Sequence, residues 1–123
     1  MKLQLEPGDG QNTFTGYGKG YVSVNGVRHR GNLLVLPERL WPDWTSASFA
    51  TLCLADIELL AALEAEVVLL GTGNQLRFPR PELLRPFVEA RKGLEVMDVR
   101  AACRTYNILK GEGRRVAAGL LIE

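Results

Sequence analysis

Two cysteines and a single histidine are all that this 123-residue chain offers a soft metal ion. A structural zinc site takes about four such ligands at recurrent spacings. Cys53, Cys103 and His29 stand at none of those spacings, so no metal centre or cofactor is expected. Far apart and without a secretory start, the two cysteines read as free thiols. Neither a Ser-centred elbow nor a paired-carboxylate motif is present. Asp56, Glu58, Glu64 and Glu66 fall at mixed spacings on or beside one helical segment and read as its solvated face. An excess of one charge sign is missing too. The 15 basic and 14 acidic side chains leave a net charge of +1, so no global field steers the protein toward nucleic acid or an anionic membrane. Basic residues cluster only at Arg28/Arg30 and Arg114/Arg115. Long apolar runs are absent: "LLVL" and "VVLL" fall far short of the roughly 20 residues of a membrane helix. The start, "MKLQLEPGDGQ", lacks the apolar stretch of a signal peptide. A cytoplasmic protein without direct membrane insertion is expected.

What is there is the composition of a globular protein, with 46% hydrophobic and 24% charged residues. The length predicts one domain over residues 1–123, large enough for a core without disulfides. "KLQLE" reads as an opening strand and "PGDGQNTFTGYGKG" as a loop. The runs "YVSV" and "VRHRGNLLVL" are β-prone and joined by Asn25-Gly26, a pair that tolerates the positive φ angles of a type I′ hairpin. "PERLWPDWTSAS" reads as a turn region in which at least one of Trp41 and Trp44 packs against the domain.

Helices and strands then alternate. "LADIELLAALEA" is helical, and "EVVLLGTG" is a continuous apolar run ending at glycines, as in a strand buried on both faces. "RPELLRPFVEARKG" predicts a helix with Pro81 in its first turn, kinked or delayed by Pro86. "LEVM" is a strand, Asp98 an N-cap for a helix from Val99 to about Lys110, and "RRVAAGLLIE" a closing strand. The β-α-β-α-β order favours a partly parallel sheet. An α/β fold with α+β character is expected: a mixed central sheet with helices and an additional N-terminal β-hairpin layer.

Two segments concentrate polar and special-backbone residues. The first, "GTGNQLRFPRPEL", is a glycine turn after a buried strand, the place where α/β folds bind ligands. Arg77 stands there to meet an anion. A dinucleotide loop leads straight into a helix, whereas Gln75 to Pro79 extends the chain first. The turn is therefore either a plain tight turn or a site for a small anion or a partner. The second segment is the helix bearing Cys103. At about 100° per residue, Ala101, Ala102, Thr105, Ile108 and Leu109 share the face that should pack on the sheet. Cys103, Asn107 and Lys110 lie opposite, with Arg104 and Tyr106 at the boundaries. A cysteine nucleophile needs a base, and nothing in the sequence places His29 beside Cys103.

Several of these segments together, "LLGTGNQLRFPRPELL" and "GLEVMDVRAACRTYNILKGEGRRVAAGLL", resemble the domain-of-unknown-function 498 family, also called Mth 938-like. The matching motifs stand at Gly71–Gly73, Pro79–Glu82, Glu95–Asp98, Ala102–Asn107 and Arg114–Ala118. The resemblance implies a mixed central sheet with helices and an extra β layer. Because the family includes a mitochondrial assembly factor for respiratory complex I, it also implies a non-enzymatic binding role. The partners would be proteins, such as respiratory complex subunits, and not nucleic acid. A start directly at the domain fits a compact bacterial member. The expected binding surface comprises Gly71, Thr72, Gly73, Arg77, Cys103, Arg104 and Tyr106. The alternative expectation is a small-anion carrier or enzyme at the Gly71–Gly73 turn, with Cys103 as thiolate.

Overall fold

A computed structural model describes residues 10–123. Eight strands form two sheets. The smaller is a meander of β1 (Phe14–Gly18), β2 (Tyr21–Val24) and β3 (Val27–His29) in the order β1-β2-β3. Asn25 and Gly26 turn it at φ of 51° and 83°, the conformation the Asn-Gly pair predicts. The larger sheet adds β4 (Leu33–Leu36), β5 (Arg39–Pro42), β6 (Val67–Gly71), β7 (Leu94–Met97) and β8 (Val116–Leu120) in the order β5-β4-β8-β6-β7. Around β6 the pairing is parallel, and at β4 it is antiparallel. Among the described residues the α-helices are α1 (Leu54–Ala61), α2 (Arg85–Glu89) and α3 (Val99–Gly111).

Strand periodicity divides the core. Side chains alternate between faces along a strand, and Leu33, Val35, Leu69, Val116, Ala118 and Leu120 all belong to one cluster with α3. Their neighbours Leu34, Leu36, Val68, Leu70, Ala117 and Leu121 belong to the other, with α1 and Phe87 of α2. Helices thus cover both faces of the larger sheet. Its central strands are apolar on both sides for that reason.

The small sheet covers α3 from the far side. Phe14, Tyr17, Val22 and Val24 join the same cluster as Ala102, Cys103 and Tyr106. This arrangement corrects the helix-face expectation. Cys103 and Tyr106 are fully buried and Lys110 nearly so, whereas Ile108, expected against the sheet, is 62% exposed. A helix between two layers buries two stripes, which a one-sided wheel cannot represent.

Three smaller corrections concern the elements. "FTGYG" is strand β1, not loop, and "RLWP" is strand β5 within the expected turn region. Helix α1 ends at Ala61, short of the expected stretch. The Pro-rich segment shows the delayed start that Pro86 predicts: a 3-10 turn at Pro81–Leu84, then the α-helix proper from Arg85 with Pro86 in its first turn, where a missing N–H costs nothing. The "KLQLE" strand lies outside the described residues. Asp98 caps α3 as expected, its Oδ1 accepting from the Ala101 N–H at 2.9 Å. Trp44 packs on the core and its Nε1 donates to the Leu120 carbonyl at 3.1 Å, while Trp41 is 39% exposed.

Candidate functional site

The glycine turn is a closed, internally satisfied structure. Buried Thr72 organises it: its Oγ1 donates to the Gln75 carbonyl at 2.6 Å and accepts from the Arg77 N–H at 3.0 Å. The Thr72 N–H donates to the Met97 carbonyl at 2.8 Å, and the Gly73 carbonyl accepts from Val99 N–H at 2.9 Å. The turn is thereby tied to the end of β7 and the start of α3. Gly73 holds φ at +90°, and a Cβ added there would collide with Glu123 Oε1. That carboxylate takes the place expected of an outside anion. Arg77 Nη2 stands 3.0 Å from Glu123 Oε1, and the Asn74 N–H donates to the same oxygen at 3.2 Å.

The helix segment is equally occupied with the fold. Tyr106 Oη donates to the Asn12 carbonyl at 2.9 Å, and its ring meets Phe14 edge-on with centroids 5.1 Å apart. Asn107 closes two bonds on one residue: Oδ1 accepts from the Phe14 N–H at 3.0 Å and Nδ2 donates to the Phe14 carbonyl at 2.8 Å. Arg104 Nη1 donates to Tyr17 Oη at 2.7 Å. "CRTYN" is therefore the seam that fastens the small sheet to α3. The signal for this role was present in the alternation of Tyr17, Val22 and Val24, but it becomes visible only once Phe14–Gly18 is known to be a strand.

Cys103 is inside this seam, and its burial overturns the thiolate expectation. Desolvation pushes the thiol up to about 12, Arg104 lowering it and Asp98 raising it further. A neutral, covered thiol is neither nucleophile nor ligand. Cys53 is exposed instead, with its Sγ 3.4 Å from Asp56 Oδ2. Among the described residues no group of three or more Cys, His, Asp or Glu is placed to hold a metal ion. No helix among them is long and apolar enough to cross a membrane.

Of the seven expected surface residues, Gly71, Thr72, Gly73, Cys103 and Tyr106 are buried. Arg104 is exposed and Arg77 half-exposed. Beside Arg104 a cleft of about 390 Å³ opens over Tyr17, walled by Gly18, Asp98 and Arg100. A narrow crevice continues from it past Tyr21 to Gly73, Asn74 and Glu123. The tertiary structure thus joins the two polar segments through β1, a connection that sequence spacing does not contain.

An uncharacterised protein of Rhodobacter capsulatus is 38% identical over 120 residues, covering 94% of this chain and 90% of its own. The bovine NADH dehydrogenase [ubiquinone] 1 alpha subcomplex assembly factor 3 is 33% identical over 105 residues. That match covers 84% of this chain but only 56% of the bovine protein, so the chain spans little more than half the length of that relative. The solution structure of a Bordetella pertussis protein, described as a Mth938-like domain, superposes with a TM-score of 0.77 at 34% identity. It covers 99% of this chain and 92% of that one. Residues 14–121 match the family described as protein of unknown function DUF498/DUF598, and the chain belongs to that family.

Proposed function

We propose that this protein is a non-enzymatic binding protein that assists the assembly of a larger protein complex, with respiratory complex I as the client. The observation that carries this reading is its likeness, across 84% of the chain, to a relative named as a complex I assembly factor. The local chemistry is compatible with it. Among the accessible polar groups of the two segments are two guanidinium donors, Arg77 and Arg104, suited to planar hydrogen bonding with a partner. Buried Thr72 fixes the Arg77 backbone, and the Tyr17 hydroxyl holds the Arg104 guanidinium.

The test is co-purification of the tagged protein from a gentle lysate of its source, membranes included. Respiratory-complex subunits should be enriched, and the Arg77→Ala/Arg104→Ala variant should lose them while staying folded, with a melting temperature lowered only slightly by the lost Glu123 and Tyr17 contacts. Recovery of the folded protein alone, from lysate and membranes alike, overturns the reading.

A further inference from the structure

Four arginines stand around one end of the small sheet, and among the described residues none of them forms an ion pair. Arg28 and Arg30 lie 3.9 and 5.8 Å from the Tyr21 ring centroid. Arg100 and Arg104 lie 5.8 and 5.9 Å from that of Tyr17. Both rings and Arg100 line the same crevice at the β1–β2 strand end, with Arg28 and Arg30 on the Tyr21 face of the small sheet and Arg100 and Arg104 on its Tyr17 face. Among the described residues, none of the four has an Asp or Glu oxygen within 4.0 Å. The other basic cluster of the chain is different. Arg114 stands 3.5 Å from Glu66, and Arg115 stands 2.8 Å from Glu38. Among the described residues the fold therefore pairs the arginines of one cluster and forms no ion pair with those of the other.

That second cluster has both shape and donors. A cleft of about 390 Å³ over Tyr17 has the size of a site for a few side chains. A guanidinium beside an aromatic ring keeps its edges free to fork a carboxylate. We propose that this cleft docks an acidic segment of a partner protein. Its carboxylates fork onto Arg100 and Arg104, and flanking ones reach Arg28 and Arg30. This rests on the binding-protein reading above and names its surface and the chemistry of its partner. Asp98 stands in the cleft wall and Glu123 in the adjoining crevice. A uniformly charged polyanion would meet both as like charges, whereas a peptide brings N–H donors for them. A bilayer surface is flat and does not enter a concave cleft.

The probe is fluorescein-labelled decaglutamate, read by anisotropy and by amide shifts of the isotope-labelled protein. Binding should perturb residues 17–21, 28–30 and 98–104 and weaken about tenfold or more between roughly 50 and 300 mM salt. The Arg100 side chain makes no hydrogen bond among the described residues, so Arg100→Glu reverses its charge while leaving the Arg104–Tyr17 hydrogen bond in place. It should cut affinity about tenfold at an unchanged melting temperature. Arg114→Ala/Arg115→Ala should leave affinity as it is. Absence of binding, or binding that ignores Arg100→Glu, overturns the site. So does a preference, through the same arginines, for phosphatidylserine vesicles or an oligo-dT strand. Failure of decaglutamate to bind while complex subunits still co-purify would remove this cleft and leave the assembly reading standing.

Discussion

Asn107 and Phe14, 93 positions apart, are joined as two strands would be: the side-chain amide donates to and accepts from one backbone residue. A helix thereby supplies β1 with a hydrogen-bonding edge. Because Phe14 is itself fully buried, the two bonds are made where water cannot replace them.

Replacing Asn107 by Ala leaves the Phe14 N–H and carbonyl without these partners. A buried unsatisfied group costs about 1–3 kcal/mol, so the variant should lose about 2–4 kcal/mol of stability in urea titrations. Amide exchange in β1 and β2 should accelerate more than in β6 and β8. Uniform acceleration across both sheets would show that Asn107 does not hold the small sheet specifically.

Thr72 is the matching test in the glycine turn. Thr72→Val keeps the shape but removes the hydroxyl bonded to Gln75 and Arg77. The expected loss is about 2 kcal/mol, with Thr72→Ser recovering most of it. Equal losses in the two variants would place the effect in packing instead of hydrogen bonding.

At Gly73 two effects compete and magnitudes decide. A Cβ would strike Glu123, but a carboxylate on a flexible, half-exposed side chain moves aside. The Arg77 pair it would abandon is worth about 0–1 kcal/mol at such exposure. Strain at positive φ costs an L-residue about 1–2 kcal/mol and does not relax. Gly73→Ala should therefore melt several degrees lower, and Glu123→Ala in the same chain should restore little. Full restoration would mean that the collision, not the backbone, sets the cost.

Cys103 links stability to alkaline pH. Its folded thiol is raised from an ordinary 9.0 to about 12, so above pH 9 the unfolded chain sheds a proton that the folded chain keeps. Stability is fully present below pH 9 and falls as pH rises toward 12, at about 1.4 kcal/mol per pH unit for one proton. Urea midpoints between pH 8 and 10 should fall more steeply for the parent than for Cys103→Ala. In the native protein at pH 8, iodoacetamide should label Cys53 and spare Cys103. Rapid labelling of both would contradict the burial described above.

Local rules were enough for much of this chain. Asn25-Gly26 dictates a hairpin because few other residues accept two consecutive positive φ angles. Asp98 announces a helix start because its side chain competes for the first free N–H groups. "VVLL" and "VAAGLL" carry apolar side chains to both faces, which requires a strand covered twice. The additional hairpin layer was expected, but that it packs on α3 lay beyond local rules. A helix wheel assigns one buried face, so Cys103 and Tyr106 looked like surface, and a glycine-rich "FTGYG" looked like loop. Only the packed structure, in which β1 finds Val22, Val24 and Asn107 far along the chain, turns the helix motif into a seam. The same packing fills the glycine turn with Glu123. It also gathers Arg28, Arg30, Arg100 and Arg104, scattered over the sequence, beside two tyrosine rings. Sequence determines which elements form because backbone preference acts over a few residues. Which charges form ion pairs depends on long-range contacts that a linear pattern does not encode.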